Sequence, residues 1–158
     1  MSSKSYGYQS VGAVAVSNVC ATAKAALGDR KFWQGNEYVY VYNAGGEQIS
    51  PGLGCCYSAV SGYSVTVSSV TEVNECAGIV HTNTLTTDTY GYILVKGFAL
   101  VEMVNGGTIG DRLMIGTDGA QITVVGGTAT VAEPRMHGIV LDTIASGASG
   151  LAKVNCYT

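Results

Sequence analysis

The chain has 158 residues, a formal net charge of −3 and only 12 % charged side chains, against about 25 % in an ordinary soluble domain. Eight Lys and Arg against eleven Asp and Glu argue against a nucleic-acid binder, which needs a basic footprint. A 47 % apolar content argues against intrinsic disorder and fits one turn-rich domain with a core of its own.

Residues 1–16 read as an arm rich in Ser, Tyr and Gly, with Tyr6 and Tyr8 on either side of Gly7. The run Val11 to Val16 is six residues long and contains Gly12. It is too short for the apolar core of a signal peptide, and no stretch reaches the roughly 20 apolar residues of a membrane span. Ser17 to Leu27 reads as one short helix: Ser17 or Asn18 can cap it, alanines fill it and Gly28 can end it. Such a helix needs a partner surface to be stable. Phe32 and Trp33 stand between this helix and the first strand.

From Glu37 onward the pattern is β. Tyr38-Val39-Tyr40-Val41-Tyr42 alternates, with tyrosines on one face and valines on the other. Asn43-Ala44-Gly45-Gly46 is a turn. Ser64 to Ser68 alternates as a half-buried strand, and Tyr92 to Val95 is a continuous apolar run suited to burial on both faces. Further strands are expected at Leu100 to Val104 and Leu113 to Ile115. Ala120 to Val125 and Ala129 to Ala132 are joined by Gly126-Gly127-Thr128, a hairpin signal. Gly138 to Leu141 and Leu151 to Asn155 complete the series. The expected fold is mainly β, a small Gly-rich β-barrel or sandwich with an N-terminal arm and one short helix. The expected division is 1–36 for arm and helix and 37–158 for the β domain.

A weak internal duplication is visible in the β domain. Gly45-Gly46 recurs at Gly106-Gly107, Gly78-Ile79-Val80 at Gly138-Ile139-Val140, and Gly91 with Val95 at Gly150 with Val154, at offsets of 61, 60 and 59. Each half reads as a glycine turn, a strand start where only Gly fits beside a neighbouring backbone, and a closing strand.

Chemistry is not evident. The five cysteines, Cys20, Cys55, Cys56, Cys76 and Cys156, form no C-x-x-C, and neither His81 nor His137 stands at zinc-finger spacing from them. They read as reduced, buried small hydrophobes, with an interchain disulfide as the sharper alternative. Cys55 and Cys56, being adjacent, would point to opposite faces of a strand. G-x-S-x-G is absent, and nothing in the spacing forces a triad from Cys76, His81 and Asp88. Glu72 and Glu75 lack a calcium-loop pattern. Gly106 to Asp111 has neither the Lys-Ser/Thr nor the helix of a phosphate loop. No catalytic residue, cofactor site or metal site is assigned, and no enzymatic activity is expected. The aromatic residues remain: Tyr6, Tyr8, Phe32 and Trp33 are the candidate interface residues, because Tyr and Trp combine an apolar body with a polar tip, with a plug for the barrel end as the equal alternative for Phe32 and Trp33.

The run Tyr90-Gly91-Tyr92-Ile93-Leu94-Val95-Lys96-Gly97-Phe98-Ala99 is followed by Gly110-Asp111-Arg112-Leu113, Asp118-Gly119 and His137-Gly138-Ile139-Val140-Leu141. It ends with Ala145-Ser146-Gly147 and Gly150-Leu151-Ala152-Lys153-Val154. This order resembles the head decoration, or cement, proteins of tailed bacteriophages over roughly residues 37–158. The cysteines and the long arm with its helix depart from that pattern. The resemblance implies a structural virion protein on the outer face of the capsid, made in the host cytoplasm. It would bind the major capsid protein and itself, as a homotrimer, with no nucleic acid and no membrane among its partners. Other phage structural roles (tail tube, spike or fibre component) and a small ligand-binding barrel are the alternatives. On this reading, deleting residues 1–16 is expected to abolish capsid binding and leave the barrel folded.

Overall fold

A computed structural model of the chain describes residues 14–58, 62–67, 76–115, 121–124 and 136–156. Among the described residues ten strands follow in chain order: β1 (Arg30–Trp33), β2 (Asn36–Asn43), β3 (Gly54–Tyr57), β4 (Ser64–Val67), β5 (Cys76–Ile79), β6 (Tyr90–Glu102), β7 (Arg112–Ile115), β8 (Gln121–Val124), β9 (Met136–Val140) and β10 (Ser149–Asn155). The sheet order is β1-β2-β4-β3-β5-β6-β10-β9-β7-β8, with a further pairing of β2 with β6. That pairing closes β2, β4, β3, β5 and β6 into a five-stranded barrel, so the architecture is a barrel with extra strands.

The alternation of β2 decides what lies inside. Val39 and Val41 enter a buried cluster with Cys55, Val65, Ala77, Ile93 and Val95. A five-stranded barrel is narrow, and these small or β-branched side chains suit it. Ile49 and Leu85 pair across its end through two backbone hydrogen bonds of 3.0 and 2.9 Å. Beside them the fully buried Asn43 donates Nδ2–H to the carbonyls of Glu47, Leu85 and Thr86 and accepts from Gly45 N–H. Its amide thereby satisfies loop carbonyls that would otherwise be buried without partners.

The tyrosines of β2 face the other way. Tyr38 and Tyr40 join Tyr92, Leu94 and Ile79 in a second cluster, to which the buried Val14 and Val16 also belong. Tyr40 packs against Tyr92 with ring centroids 5.0 Å apart, and the Tyr40 hydroxyl accepts from Lys24 N–H at 3.1 Å.

This packing replaces the expected helix. Ser17 to Leu27 is not helical; it runs as turns and an isolated bridge. Cys20 and Tyr90 exchange both backbone hydrogen bonds, at 2.9 and 2.8 Å, which removes the helical partners of that turn. Eleven residues of alanine-rich helix are marginal alone. A strap that pairs with β6 and buries two valines gains more than such a helix can. Burying Val14 and Val16 is worth on the order of 1.5–3 kcal/mol each. A deletion reaching residue 16 would therefore remove two buried core residues as well as the arm, so that truncation does not separate docking from folding.

β6 carries both halves of the molecule. Its first part, Tyr90 to Lys96, pairs with β2 from Tyr42 back to Glu37. Its second part, Lys96 to Glu102, pairs with β10 from Asn155 back to Ser149. The change of partner falls at Gly97, whose φ of +136° is outside the range comfortable for a side chain. A Cβ there would run into the Asn36 amide. That amide accepts from Phe98 N–H at 2.9 Å and donates to Phe98 C=O at 3.4 Å.

The same hydrogen bonds recur beyond β6. Gly52 N–H donates to Val80 C=O and Val80 N–H to Leu53 C=O; likewise Gly110 N–H donates to Val140 C=O and Val140 N–H to Asp111 C=O. Gly52 and Gly110 have φ of 92° and 93°. Ile49 pairs with Leu85 as Gly107 pairs with Ile144. A Cβ on Gly78 would stand 2.7 Å from Leu94 O, and one on Gly138 would stand 2.5 Å from Lys153 O.

Replacing Asn36 by Ala leaves the Phe98 N–H and C=O without their amide partner at a part-buried site. The expected cost is about 1–3 kcal/mol, read as a lower urea midpoint. A change within about 0.5 kcal/mol, the range of an ordinary surface substitution, would show that Asn36 does not hold the junction.

Candidate interaction surface

The residues with chemical potential are committed to structure. Asp88 accepts from the Tyr42 hydroxyl at 2.8 Å. His81 Nδ1 lies 2.7 Å from the Tyr38 hydroxyl, with the rings stacked at 5.8 Å. The Cys76 and Cys156 sulfurs are 3.5 Å apart as free thiols. Cys76, His81 and Asp88 thus each engage a different partner. The sulfur contact with Cys156 and burial hold the Cys76 thiol well above its ordinary value, and burial does the same for Cys55. Both are poor nucleophiles there. Among the described residues no group of three His, Cys, Asp or Glu could hold a metal ion. The His137 side chain, Glu72 and Glu75 lie outside the described residues, as does the Ala129 to Ala132 strand.

What the surface does offer is apolar. Of the four candidate interface residues, Phe32 and Trp33 end β1 at the tip of a hairpin. Trp33 pairs with Asn36 across a two-residue loop, Gln34-Gly35, whose φ values of 50° and 79° are both positive. That is the loop geometry that matches strand twist. An Asn-Gly or Asp-Gly pair would have announced it in the sequence; Gln-Gly does not. The loop lifts Phe32 into solvent, 75 % exposed, while Trp33 stays partly exposed and leans on Tyr38 at 6.5 Å. An Arg30–Glu37 ion pair links the two strands behind them. Tyr6 and Tyr8 lie outside the described residues.

A second apolar surface has no sequence signal of its own. Phe98 and Leu100 on β6 and Leu151 on β10 are exposed on one face, with Ile139 and Leu141 at its far side. Leu100 stands opposite Leu151 and Phe98 opposite Lys153; Lys153 in turn stands opposite Ile139. Leu141 N–H donates to Leu151 C=O. Two rows therefore cross three strands, with the Lys153 ammonium among the apolar side chains. Phe98 is 51 % and Leu100 60 % exposed. Isolated exposed hydrophobics are ordinary on a protein surface, whereas a contiguous group marks an interaction site.

His81 supplies a pH test of how tightly this fold is held. Burial pushes its imidazole below the ordinary 6.5. The folded protein then binds this proton less tightly than the unfolded chain does. The stability is fully present above pH 6.5 and is lost as pH falls through the lower folded value. Denaturant midpoints should drop between about pH 7.5 and 5.5, and His81→Gln should drop less over that window. Equal slopes for the two proteins would show that His81 contributes nothing to the acid sensitivity.

No protein-family model and no curated protein sequence matches the chain. Solved structures do. The N base of the head fiber gp8.5 of bacteriophage phi29 matches with a TM-score of 0.52 at 13 % identity, covering 77 % of this chain and 98 % of that one. A chain of the capsid of Myoviridae phage XM1 matches with a TM-score of 0.50 at 14 % identity, covering 98 % of each. The chain shares its fold with these two proteins of phage heads.

Proposed function

We propose that the chain is a non-enzymatic decoration, or cement, protein of a tailed-phage head. It binds the outer surface of the capsid as a homotrimer and stabilises contacts between major capsid protein subunits. The observation that carries this reading is the fold shared end to end with a chain of a phage capsid. The site chemistry is consistent with it. The reactive side chains are engaged in packing and hydrogen bonds, and the exposed features are apolar and aromatic.

Phe32 and Trp33 are the capsid anchors in this reading. A twisted two-residue hairpin is a stiff mount, so little entropy is lost when the aromatic tip enters a pocket. Fixed aromatic side chains of this kind are the usual hot spots of an interface. Tyr6 and Tyr8 complete the set of interface residues. Multivalent placement on a repeating lattice adds modest single contacts into stable retention. The likeness to a head-fiber base favours one second reading, in which the barrel is the foot of a projecting fibre. In that case it would bind the capsid and also carry a further protein.

Co-sedimentation with expanded, undecorated capsids of the phage that encodes it tests the assignment. The wild-type chain should pellet with capsids and should raise their resistance to heat. Phe32→Ala and Trp33→Ala should each cost about 2 kcal/mol of binding, a loss of more than tenfold in affinity, with unfolding unchanged for Phe32→Ala. A chain that stays in the supernatant would end the decoration reading. Binding unaffected by both substitutions would remove the hairpin tip from it.

A further inference from the structure

Four of the five cysteines are buried, and the function proposed above uses none of them. Two of them meet. The Cys76 and Cys156 sulfurs stand 3.5 Å apart, although 80 positions separate the two residues in the chain. Cys76 opens β5, and Cys156 follows the last residue of β10.

The sheet sets the place where they meet. Leu94 of β6 stands between Tyr38 of β2 and Ile79 of β5. Lys96, two residues on, stands between Glu37 of β2 and Asn155 of β10. β5 and β10 therefore use the same edge of β6, the one opposite β2. Both run antiparallel to β6, so β10 ends where β5 begins. Cys156 N–H donates to the Val95 carbonyl at 2.8 Å, and Cys76 stands opposite Cys56 on β3. Strands laid end to end share no ladder, and β5 and β10 are not neighbours in the sheet. The contact of the two thiols bridges that seam.

We propose that Cys76 and Cys156 are a site of oxidative cross-linking, closed to an intrachain disulfide by a peroxide, which fastens the end of β10 to the start of β5. One sulfur attacks a peroxide oxygen. The O–O bond breaks, the sulfur becomes a sulfenic acid and one water leaves. The neighbouring thiol attacks that sulfur. The S–O bond breaks, the disulfide forms and the thiol proton departs in a second water. Two thiols are oxidised and one hydrogen peroxide is reduced. The contact with Cys156 and burial keep the Cys76 thiol protonated, so closure is slow. The second step asks only that the sulfurs close from 3.5 Å to the roughly 2.05 Å of a bond.

The other cysteines are placed differently. Cys55 belongs to the barrel interior, and its thiol donates to Gly78 C=O at 3.5 Å. Cys20 is bridged through its backbone to Tyr90. Cys56 shares the outer cluster with Cys76 and Cys156 and is the competitor that the test separates. The bond joins residues 80 positions apart and encloses β6 to β10. Closing so long a loop removes conformations from the unfolded chain, so the oxidised protein withstands more denaturant than the reduced one.

Incubation of the folded wild-type chain with dilute hydrogen peroxide, then alkylation in denaturant and peptide mapping, tests this. Of the five thiols, all but the joined two should remain open to alkylation. One cross-linked peptide should join Cys76 to Cys156 within a single chain. The urea midpoint should rise by on the order of 1 M and should return after unfolding in reductant. Cys156→Ala should lose both the cross-link and the rise, and Cys76→Ala serves if that variant does not fold. Cys20→Ser should keep both. Five thiols still open to alkylation overturn the proposal, as does a bond from Cys76 to Cys56 or a bond between chains. Further oxidation of either sulfur without a cross-link overturns it too. A Cys76–Cys156 bond with an unchanged midpoint overturns its role as a fastening. No capsid enters the experiment, so this proposal and the decoration reading fail separately.

Discussion

The architecture depends on one strand serving two neighbours in succession. β6 is thirteen residues long. Its first half closes the barrel against β2, and its second half carries β10 and everything beyond. The β2 pairing breaks register where the partner changes, and the break is built from two residues. Gly97 adopts a backbone conformation that a side chain would oppose. Asn36, from the start of β2, fills the space where that side chain would be. Its amide then imitates a strand, accepting from Phe98 N–H and donating toward Phe98 C=O. The β2–β6 ladder shifts between Glu37 and Tyr38, next to this substitute pairing. The backbone groups freed by the break are therefore satisfied by a side chain rather than by water. The two halves are consequently joined by a continuous strand and not by a flexible linker. On the proposed reading such a connection matters, because a hinge at this point would yield before the contacts at either end did.

Where the apolar surface lies follows from the same geometry. Alternation along β2 sends valines into the narrow barrel and leaves tyrosines outside. Tyrosines are suited to that outer position, since each can bury its ring and still reach a partner with its hydroxyl. Tyr38 finds His81, Tyr40 finds the Lys24 amide and Tyr42 finds Asp88. In the second half the corresponding strand places Phe98 and Leu100 outside, which have no polar tip to satisfy. Burying such a face would leave no side-chain polar group of Phe98 or Leu100 unsatisfied.

Much of this was legible in the residues. Tyr38 to Tyr42 gave both the strand and its two faces. The adjacent Cys55 and Cys56 do point apart: one is in the barrel interior and the other in the outer cluster. The expected strands at Tyr92 to Val95 and Leu100 to Val104 belong to one strand, Tyr90–Glu102, with a register break at Gly97. β1 went unseen because its outward residues, Arg30, Phe32 and Trp33, show no alternation. The helix expected at Ser17 to Leu27 rested on propensity, and a tertiary surface outweighed it. Two of the glycine matches fall at places with the same local contacts, Gly78 with Gly138 and Gly91 with Gly150. The third does not: Gly107 stands where Ile49 stands, not where Gly46 does. Glycine is informative where a Cβ would strike a neighbouring backbone or an ending side chain, and uninformative where it only loosens a turn.

Of the four candidate interface residues, only Phe32 and Trp33 fall in the described part, and their geometry adds something composition could not. The sequence could say that a Phe-Trp pair is a good anchor but not whether it was a plug or a projection. A plug would have been packed into the end of the barrel. The hairpin instead turns at Gln34-Gly35, with backbone angles that hold the tip rigidly outward, and the barrel end is filled by Ile49, Leu85 and Asn43. With the end already sealed, Phe32 is not needed to close it, while Trp33 packs against Tyr38 at 6.5 Å. In the proposed reading the exposed Phe32 ring is what another molecule buries, and the two-residue turn limits the entropy lost when it does.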